Sequence, residues 1–182
     1  MSLIDSKENS VVAIYPQHSD AENAINLLKK SNFNIKKLAI VGRGYHTEDQ
    51  VVGYYTAGDR MKHWGKMGAF WGGVWGLLVG SALFLIPGVG PVLVAGSAVA
   101  WIVAAVEGAV VVGGLSALGA GLVSIGIPKD SAVKYESSIK AGKYLLIAHG
   151  TAEEAESARR ILSSTAAEEV NAHQPDRPAV AA

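Results

Sequence analysis

The chain has 182 residues, no cysteine and a formal net charge of zero, with 49% hydrophobic and only 18% charged residues. This length allows one modest domain plus an insertion. The absence of cysteine excludes disulfides and thiolate metal sites, and the balanced charge gives no indication of a nucleic-acid partner.

The first flank predicts a strand, a helix and a second strand. Residues 11–15 (VVAIY) are typical of a short strand, and residues 38–41, extended back toward Ile35, predict the second. SDAE at residues 19–22 has the form of a helix capping box. The buried face of that helix is predicted to contain Ala21, Ala24, Ile25 and Leu28.

The middle of the chain, residues 67–127, contains one charged residue, Glu107, and shows no polar face at helical period. Residues 67–86 are long enough, as a helix, to cross a bilayer core of about 30 Å. After the break PGVGP at residues 87–91, residues 92–127 are long enough for a second crossing. We therefore predict a hydrophobic helical hairpin over residues 61–127, in or on a membrane.

Small residues recur every four positions along this hairpin. In lipid, close backbone approach through Gly and Ala permits tight helix packing. The pattern predicts a glycine zipper that joins helices within the hairpin and between copies, with ordinary Gly/Ala enrichment as the alternative. The predicted packing positions are Gly68, Gly72, Gly76, Gly80, Gly96, Ala100, Ala104, Gly108, Gly113, Ala117 and Gly121.

The second flank repeats the pattern of the first. Residues 144–148 (YLLIA) predict a strand, TAEE at residues 151–154 predicts a second capping box, and residues 168–173 predict a last short strand. The buried face of the intervening helix is predicted to contain Ala155, Ala158 and Leu162.

The predicted fold is an α+β, ferredoxin-like domain of split βαβ…βαβ form. Its halves are residues 11–60 and 128–173, the hairpin is inserted between them, and residues 174–182 form a flexible tail. Both ends of the insertion return to one domain, so the hairpin crosses the bilayer twice or lies in one leaflet. Lys and Arg flank the hairpin while its turn has none, which places the polar domain in the cytoplasm.

Short motifs spread along the chain are characteristic of one family. They are VGRGYH at residues 41–46, GYY at 53–55, GDRM at 58–61, LIPGVGP at 85–91, GIPK at 126–129, YE at 135–136 and LIAHG at 146–150. In these motifs the chain resembles bacterial stress-associated proteins, known as domain of unknown function 1269 or as general-stress and heat-induced-stress (YflT-like) proteins. The resemblance implies a stress protein of the bacterial inner membrane and brings no established activity.

Glu107 is the single intramembrane polar candidate. A carboxylate at membrane depth usually faces a bundle interior or water, paired or protonated. It is interpreted as part of an ion or proton pathway or as a contact that sets oligomer register; the alternative is a solvated residue near a helix break.

His18 and His149 form a second candidate site. Each follows or ends a predicted strand, and we expect the first and third strands to lie side by side and parallel, which would make the two imidazoles neighbours. The functional interpretation of this pair is a small-anion or metal site. The alternative is that the two histidines cap helices or lie at the surface. Arg43, between Gly42 and Gly44, is a further anion candidate, with a plain turn as the alternative.

The predicted function is that of a non-enzymatic stress protein with a structural, membrane-supporting role. Its expected partners are membrane lipid and its own copies, with no nucleic acid, cofactor, metal or catalytic residue. The alternatives are a small oligomeric pore that uses Glu107 and a soluble self-assembled particle that buries the hairpins.

Overall fold

The structure is a computed structural model that describes residues 9–43, 81–86, 88–97, 100, 102–103 and 115–174. The strands are β1 (Asn9–Tyr15), β2 (Leu38–Arg43), β3 (Ser81–Ile86), β4 (Gly90–Gly96), β5 (Tyr144–Gly150) and β6 (Glu169–His173). The helices are α1 (His18–Lys30), α2 (Ala117–Ser124), α3 (Lys129–Lys140) and α4 (Ala152–Ser163), with a 3-10 turn at Ile35–Lys37.

The strands form one six-stranded sheet in the order β3-β4-β2-β5-β1-β6. Every neighbouring pair is antiparallel, so β1, β2 and β3 run in one direction and β4, β5 and β6 in the other. Helix α1 connects β1 to β2, and α4 connects β5 to β6, each passing one intervening strand. The predicted mixed α/β class is confirmed.

Apolar side chains cover both faces of this sheet. Face A, which includes Val11 and Ala13 of β1, packs against α1 and α4. Face B, which includes Val12 and Ile14, packs against α2 and α3. Successive side chains of a strand point to opposite faces, so β1 contributes to both clusters in alternation. The described elements therefore form three layers, with the sheet between two pairs of helices.

The helices on face A pack as their sequence pattern predicts. All of the residues predicted for the two buried stripes are buried: Ala21, Ala24, Ile25, Leu28, Ala155, Ala158 and Leu162. The capping box of α4 is also confirmed. Thr151 Oγ1 accepts from the Glu154 backbone amide at 3.2 Å, and Glu154 Oε2 accepts from the Thr151 amide at 2.8 Å.

The capping box predicted at residues 19–22 is wrong. Helix α1 begins at His18, and its N-cap residue Gln17 makes no capping hydrogen bond through its side chain. Glu22 is only 5% exposed, and burial raises the pKa of its carboxyl group. It lies on the buried side of the helix instead of reaching back to the helix start.

The predicted helical hairpin is wrong over residues 81–96, where β3 and β4 form a β-hairpin. Ile86 pairs with Gly90 across the hairpin, and the Val89 amide donates to the Ile86 carbonyl at 3.1 Å. Pro-Gly is the sequence favoured at the centre of a type II turn, and Gly88 has the required positive φ of 80°. The rest of the predicted first helix, residues 67–80, lies outside the described residues.

Several apolar residues assigned to the second membrane helix are buried in the core of the domain itself. Val92 and Val94 of β4, together with Leu118 and Leu122 of α2, belong to the face B cluster. Helix α3, which is not among the predicted elements, completes this layer. Among the residues that the structure describes, no helix combines the length and apolarity needed to cross a membrane.

The predicted helix-packing residues have mixed positions in the structure. Gly96 ends β4, Ala100 is exposed in a helical turn, and Ala117 and Gly121 belong to α2, where Gly121 is buried. The others, Gly68, Gly72, Gly76, Gly80, Ala104, Gly108 and Gly113, lie outside the described residues.

Helices α2 and α3 are joined by a polar contact at the start of α2. Ser116 caps α2 by accepting from the Gly119 amide at 3.3 Å, and its hydroxyl donates to Glu136 Oε2 at 2.7 Å. Glu136 also forms an ion pair with Lys140 at 2.7 Å. This contact satisfies a nearly buried carboxylate and fixes the two helices that cover face B.

Gly96 distinguishes the observed strand from the predicted helix. Its φ is +79°, and a Cβ atom there would overlap the backbone carbonyl oxygen of Leu38. Gly96→Ala should therefore lower the free energy of unfolding by about 3 kcal/mol, combining left-handed strain with the overlap. In a helix the same change would instead stabilise by about 1 kcal/mol. Urea unfolding followed by circular dichroism measures the difference.

Gly88→Ala is the matched control for this substitution. Gly88 has a similar φ of +80°, but a Cβ atom there would meet no other atom within 4 Å. It should cost about 1 kcal/mol, from backbone strain alone. A Gly96→Ala protein as stable as the parent would contradict the strand assignment.

Candidate functional site

The structure separates His18 from His149, which the sequence analysis placed together. Strands β1 and β5 are antiparallel, not parallel, with Tyr15 opposite Tyr144 and Asn9 opposite Gly150. His18 therefore lies at the strand ends where β1 finishes and β5 begins. We call this side of the sheet, which runs across the strand ends, the Tyr15 edge. His149 lies at the opposite strand ends, where β1 begins, and we call that side the Asn9 edge. The predicted two-histidine site does not form.

His18 packs beside an aromatic ring at the Tyr15 edge. The centroids of the His18 and Tyr144 rings are 6.0 Å apart, with the planes inclined at 54°. The Tyr144 ring also covers Gly42, its partner in the β2–β5 register, so that a Cβ atom at Gly42 would overlap the ring. Gly42 thus belongs to a paired strand and packs against an aromatic ring, so the plain turn given as the alternative does not include Gly42.

Arg43 lies at the same edge but contacts face B. Its Nη1 atom donates to the backbone carbonyl of Lys140, at the end of α3, at 3.2 Å. A cation at a helix C-terminus interacts favourably with the helix dipole. Arg43 therefore has a structural partner in the described residues, and the predicted anion role stays a prediction. Glu107 lies outside the described residues.

A row of polar side chains crosses face B at the Asn9 edge. Ser10 of β1 is opposite His149 of β5 on one side and opposite His173 of β6 on the other. Directly paired residues of antiparallel strands place their side chains on the same face. Ser10 is 2% exposed, and its Oγ atom is 3.2 Å from His149 Nδ1. We call Ser10, His149 and His173 the polar row.

Helix α3 contributes a buried hydroxyl group to this row. The Tyr135 hydroxyl is 2.6 Å from His173 Nε2, and Asn171 Nδ2 donates to the same hydroxyl at 3.3 Å. Asn171 also donates to Glu169 Oε1 at 2.7 Å, and Glu169 pairs with Lys134. These hydrogen bonds and the ion pair connect β6 to α3 through polar side chains.

Burial keeps the imidazoles of the polar row uncharged. It lowers the pKa of His149 from 6.5 to about 4 and also lowers the pKa of His173. Burial raises the pKa of Tyr135, with the Asn171 hydrogen bond acting in the opposite direction. At neutral pH the row therefore consists of neutral imidazoles and hydroxyl groups.

This arrangement suits proton binding better than metal binding. In the ranges that the structure describes, no group of three or more His, Cys, Asp or Glu side chains is placed to hold a metal ion. Ser10 and His149 are within hydrogen-bond reach. The chemistry that the geometry supports is a change of hydrogen bonding when an imidazole gains a proton.

The fold and the polar row define a mixed α/β protein with an antiparallel sheet and helices on both faces. Residues 10–84 match the family model described as the heat induced stress protein YflT domain. The match covers less than half of the 182 residues and confirms the resemblance to this stress-protein family. No curated protein and no solved structure matches the chain.

The polar row is the part of the site that the sequence did not reveal. Strand alternation places Ser10 and His149 on the same faces as Val12 and Ile147, respectively, but the sequence does not state that these faces coincide. An antiparallel β1–β5 pair, as in the observed register, would have brought Ser10 to His149.

The low pKa of His149 predicts that the protein loses stability in acid. The unfolded state, with a pKa near 6.5, takes up the proton more readily than the folded state, with a pKa of about 4. The contribution is therefore complete above pH 6.5 and is lost as the pH falls toward 4. Between pH 7 and pH 5 the free energy of unfolding should fall by about 2 kcal/mol through this group.

His149→Asn provides the test, because an Asn side-chain oxygen can replace Nδ1 as the partner of Ser10 but does not titrate. Urea unfolding at pH 7 and pH 5 should show a smaller loss of stability in this variant than in the parent. His18→Asn, at the opposite edge of the sheet, is the control. An unchanged pH dependence in His149→Asn would refute the assignment.

Proposed function

We propose that this is a non-enzymatic stress protein that attaches to membrane lipid and to its own copies through the Gly-rich run at residues 67–80. The carrying observation is the composition of this run, MGAFWGGVWGLLVG, which has no charged residue and has Gly68, Gly72, Gly76 and Gly80 spaced four apart. Spacing by four favours close helix association in lipid. Its two Trp residues suit the membrane interface.

Part of the apolar segment at residues 67–127 is buried in the domain itself, so its hydrophobicity is no argument for contact with lipid. Val92, Val94, Leu118 and Leu122 are buried against the domain's own sheet, so their hydrophobicity is explained by the core. The membrane argument therefore depends on the apolar residues outside the described ones, of which the longest run without a charge is residues 67–80, directly before the start of β3 at Ser81.

The same boundary favours attachment over a full crossing. A helix needs roughly 20 apolar residues to span a bilayer, and the run cannot extend past Ser81 because β3 begins there. In the other direction it meets Lys66, Lys62 and Arg60. Basic residues beside a short apolar run are typical of a segment that enters one leaflet while its flanks contact lipid headgroups.

We infer that the domain holding this run is a split ferredoxin-like unit. The support is the order β2-β5-β1-β6 with α1 and α4 on one face. Strands β2 and β3, which flank the segment that contains the run, belong to the same sheet with β4 between them. We expect this sheet to remain on the cytoplasmic side.

The attachment is tested by membrane fractionation. The protein should sediment with membranes, resist an alkaline carbonate wash and, after extraction in mild detergent, show a multimeric native mass. Leucine at Gly72 and Gly76 together should abolish the multimer, because two isobutyl groups prevent close backbone approach. Native mass spectrometry or sizing chromatography reports the result.

Gly72→Ala with Gly76→Ala is the matched control. Alanine keeps the small-residue stripe, so this double variant should retain the multimer. If the leucine pair leaves the native mass unchanged, the glycine stripe does not mediate self-association.

A second candidate is a self-assembled particle with no membrane attachment. It is favoured by the burial of the described apolar residues of the inserted segment inside the domain. Release from membranes by carbonate as a large particle would select it over attachment.

A further inference from the structure

Strand β6 is attached to the rest of the sheet more weakly than the central strands. It lies at one end of the strand order and pairs with β1 alone among the described strands. None of its residues is fully buried, whereas six of the seven residues of β1 are. Elements with few buried apolar contacts open at lower free energy than the core.

We propose that the hydrogen bond between Tyr135 and His173 is a proton-operated latch, which keeps β6 on the sheet at neutral pH and releases it, with the chain beyond it, in acid. The inference is independent of membrane attachment. It depends on the contacts of Tyr135, His173 and Asn171 and on the position of β6 at the end of the described sheet.

At neutral pH the Tyr135 hydroxyl has two partners. Because Asn171 already donates to its oxygen, we assign the Tyr135 O–H as the donor to His173 Nε2, 2.6 Å away, with the imidazole hydrogen on Nδ1. Asn171 Nδ2 donates to the Tyr135 oxygen at 3.3 Å. The hydroxyl thus donates once and accepts once, which satisfies a side chain that is completely buried.

Protonation of Nε2 removes the acceptor. The imidazolium has a hydrogen on both nitrogens, so Nε2 becomes a donor and the Tyr135 hydroxyl hydrogen has lost its partner in a buried position. Leaving a buried donor unsatisfied costs about 1–3 kcal/mol. The unsatisfied hydroxyl group lies at the contact between α3 and β6. Separation of β6 from α3 exposes this group to water and so removes the free-energy cost.

The charges around His173 do not compensate for this proton. Helix α3 contributes the Tyr135 hydroxyl and Lys134, and β6 itself contributes Asn171 and Glu169. Glu169, the carboxylate bonded to this cluster, is already paired with Lys134 and Asn171. On the β1 side the paired residue is the uncharged Ser10, and beyond it β5 contributes His149, a neutral imidazole that supplies no negative charge.

Hydrogen exchange measured by NMR on the full chain tests the latch. Amides of β6 and of β2 are compared at pH 7 and pH 5, after correction for intrinsic exchange rates, with β2 reporting global unfolding. In the parent protein the β6 amides should exchange faster than the β2 amides at both pH values, and β6 protection should fall about tenfold between pH 7 and pH 5, the size expected when a buried histidine gains a proton on release.

His173→Gln is the decisive variant, because its side-chain oxygen can accept from Tyr135 in place of Nε2 but does not titrate. Its β6 protection should change by no more than about twofold between pH 7 and pH 5. Tyr135→Phe should lose β6 protection already at pH 7 and show no further loss in acid, and His18→Gln should behave as the parent.

Two results would overturn the proposal. One is a His173→Gln protein whose β6 amides lose protection in acid as the parent's do. The other is a parent protein in which β6 and β2 amides are equally protected at pH 5, because the opening would then be global and not a release of β6.

Discussion

The burial of β1 and β5 on both faces is the constraint on which the rest of the structure depends. Along β5, Leu146 and Ala148 point to face A, whereas Leu145 and Ile147 point to face B, and all four are fully buried. Helices α1 and α4 cover only face A. The inserted segment and its C-terminal flank must therefore supply a second layer, because an exposed apolar face of this size would be costly in water. Helices α2 and α3 are that layer, and the contact of Ser116 with Glu136 holds them together.

This constraint explains which elements the sequence predicts. Strands β1, β2, β5 and β6, with α1 and α4, follow from local signals such as β-branched runs and helical apolar stripes. The β3–β4 hairpin does not, because its residues are apolar at nearly every position and, without polar alternation, resemble a stretch of membrane helix in composition. Pro87-Gly88 indicated a turn in either interpretation. Helix α3 was not predicted although its buried residues Ala132, Tyr135, Glu136 and Ile139 have helical spacing, because one of these four is the charged Glu136.

The polar row could not be predicted from the sequence, for a different reason. Its members Ser10, His149 and His173 come from three strands and meet only through register, which no local pattern states. A single wrong assumption, parallel in place of antiparallel pairing of β1 with β5, moved His149 to the opposite edge and paired it with His18. Once strand direction is known, the period of two places all three side chains on face B without further information.

The two proposed functional elements involve the two outer strands of the described sheet, β3 and β6. The Gly-rich run leads into β3, whereas the latch acts on β6, and β4, β2, β5 and β1 lie between them. Those inner strands contain nearly all of the fully buried residues of the sheet, so they should open only with the whole domain. Loss of β6 in acid would therefore leave the attachment at the β3 end unchanged. The proposed attachment and the proposed latch would therefore act independently, because β4, β2, β5 and β1 separate β3 from β6.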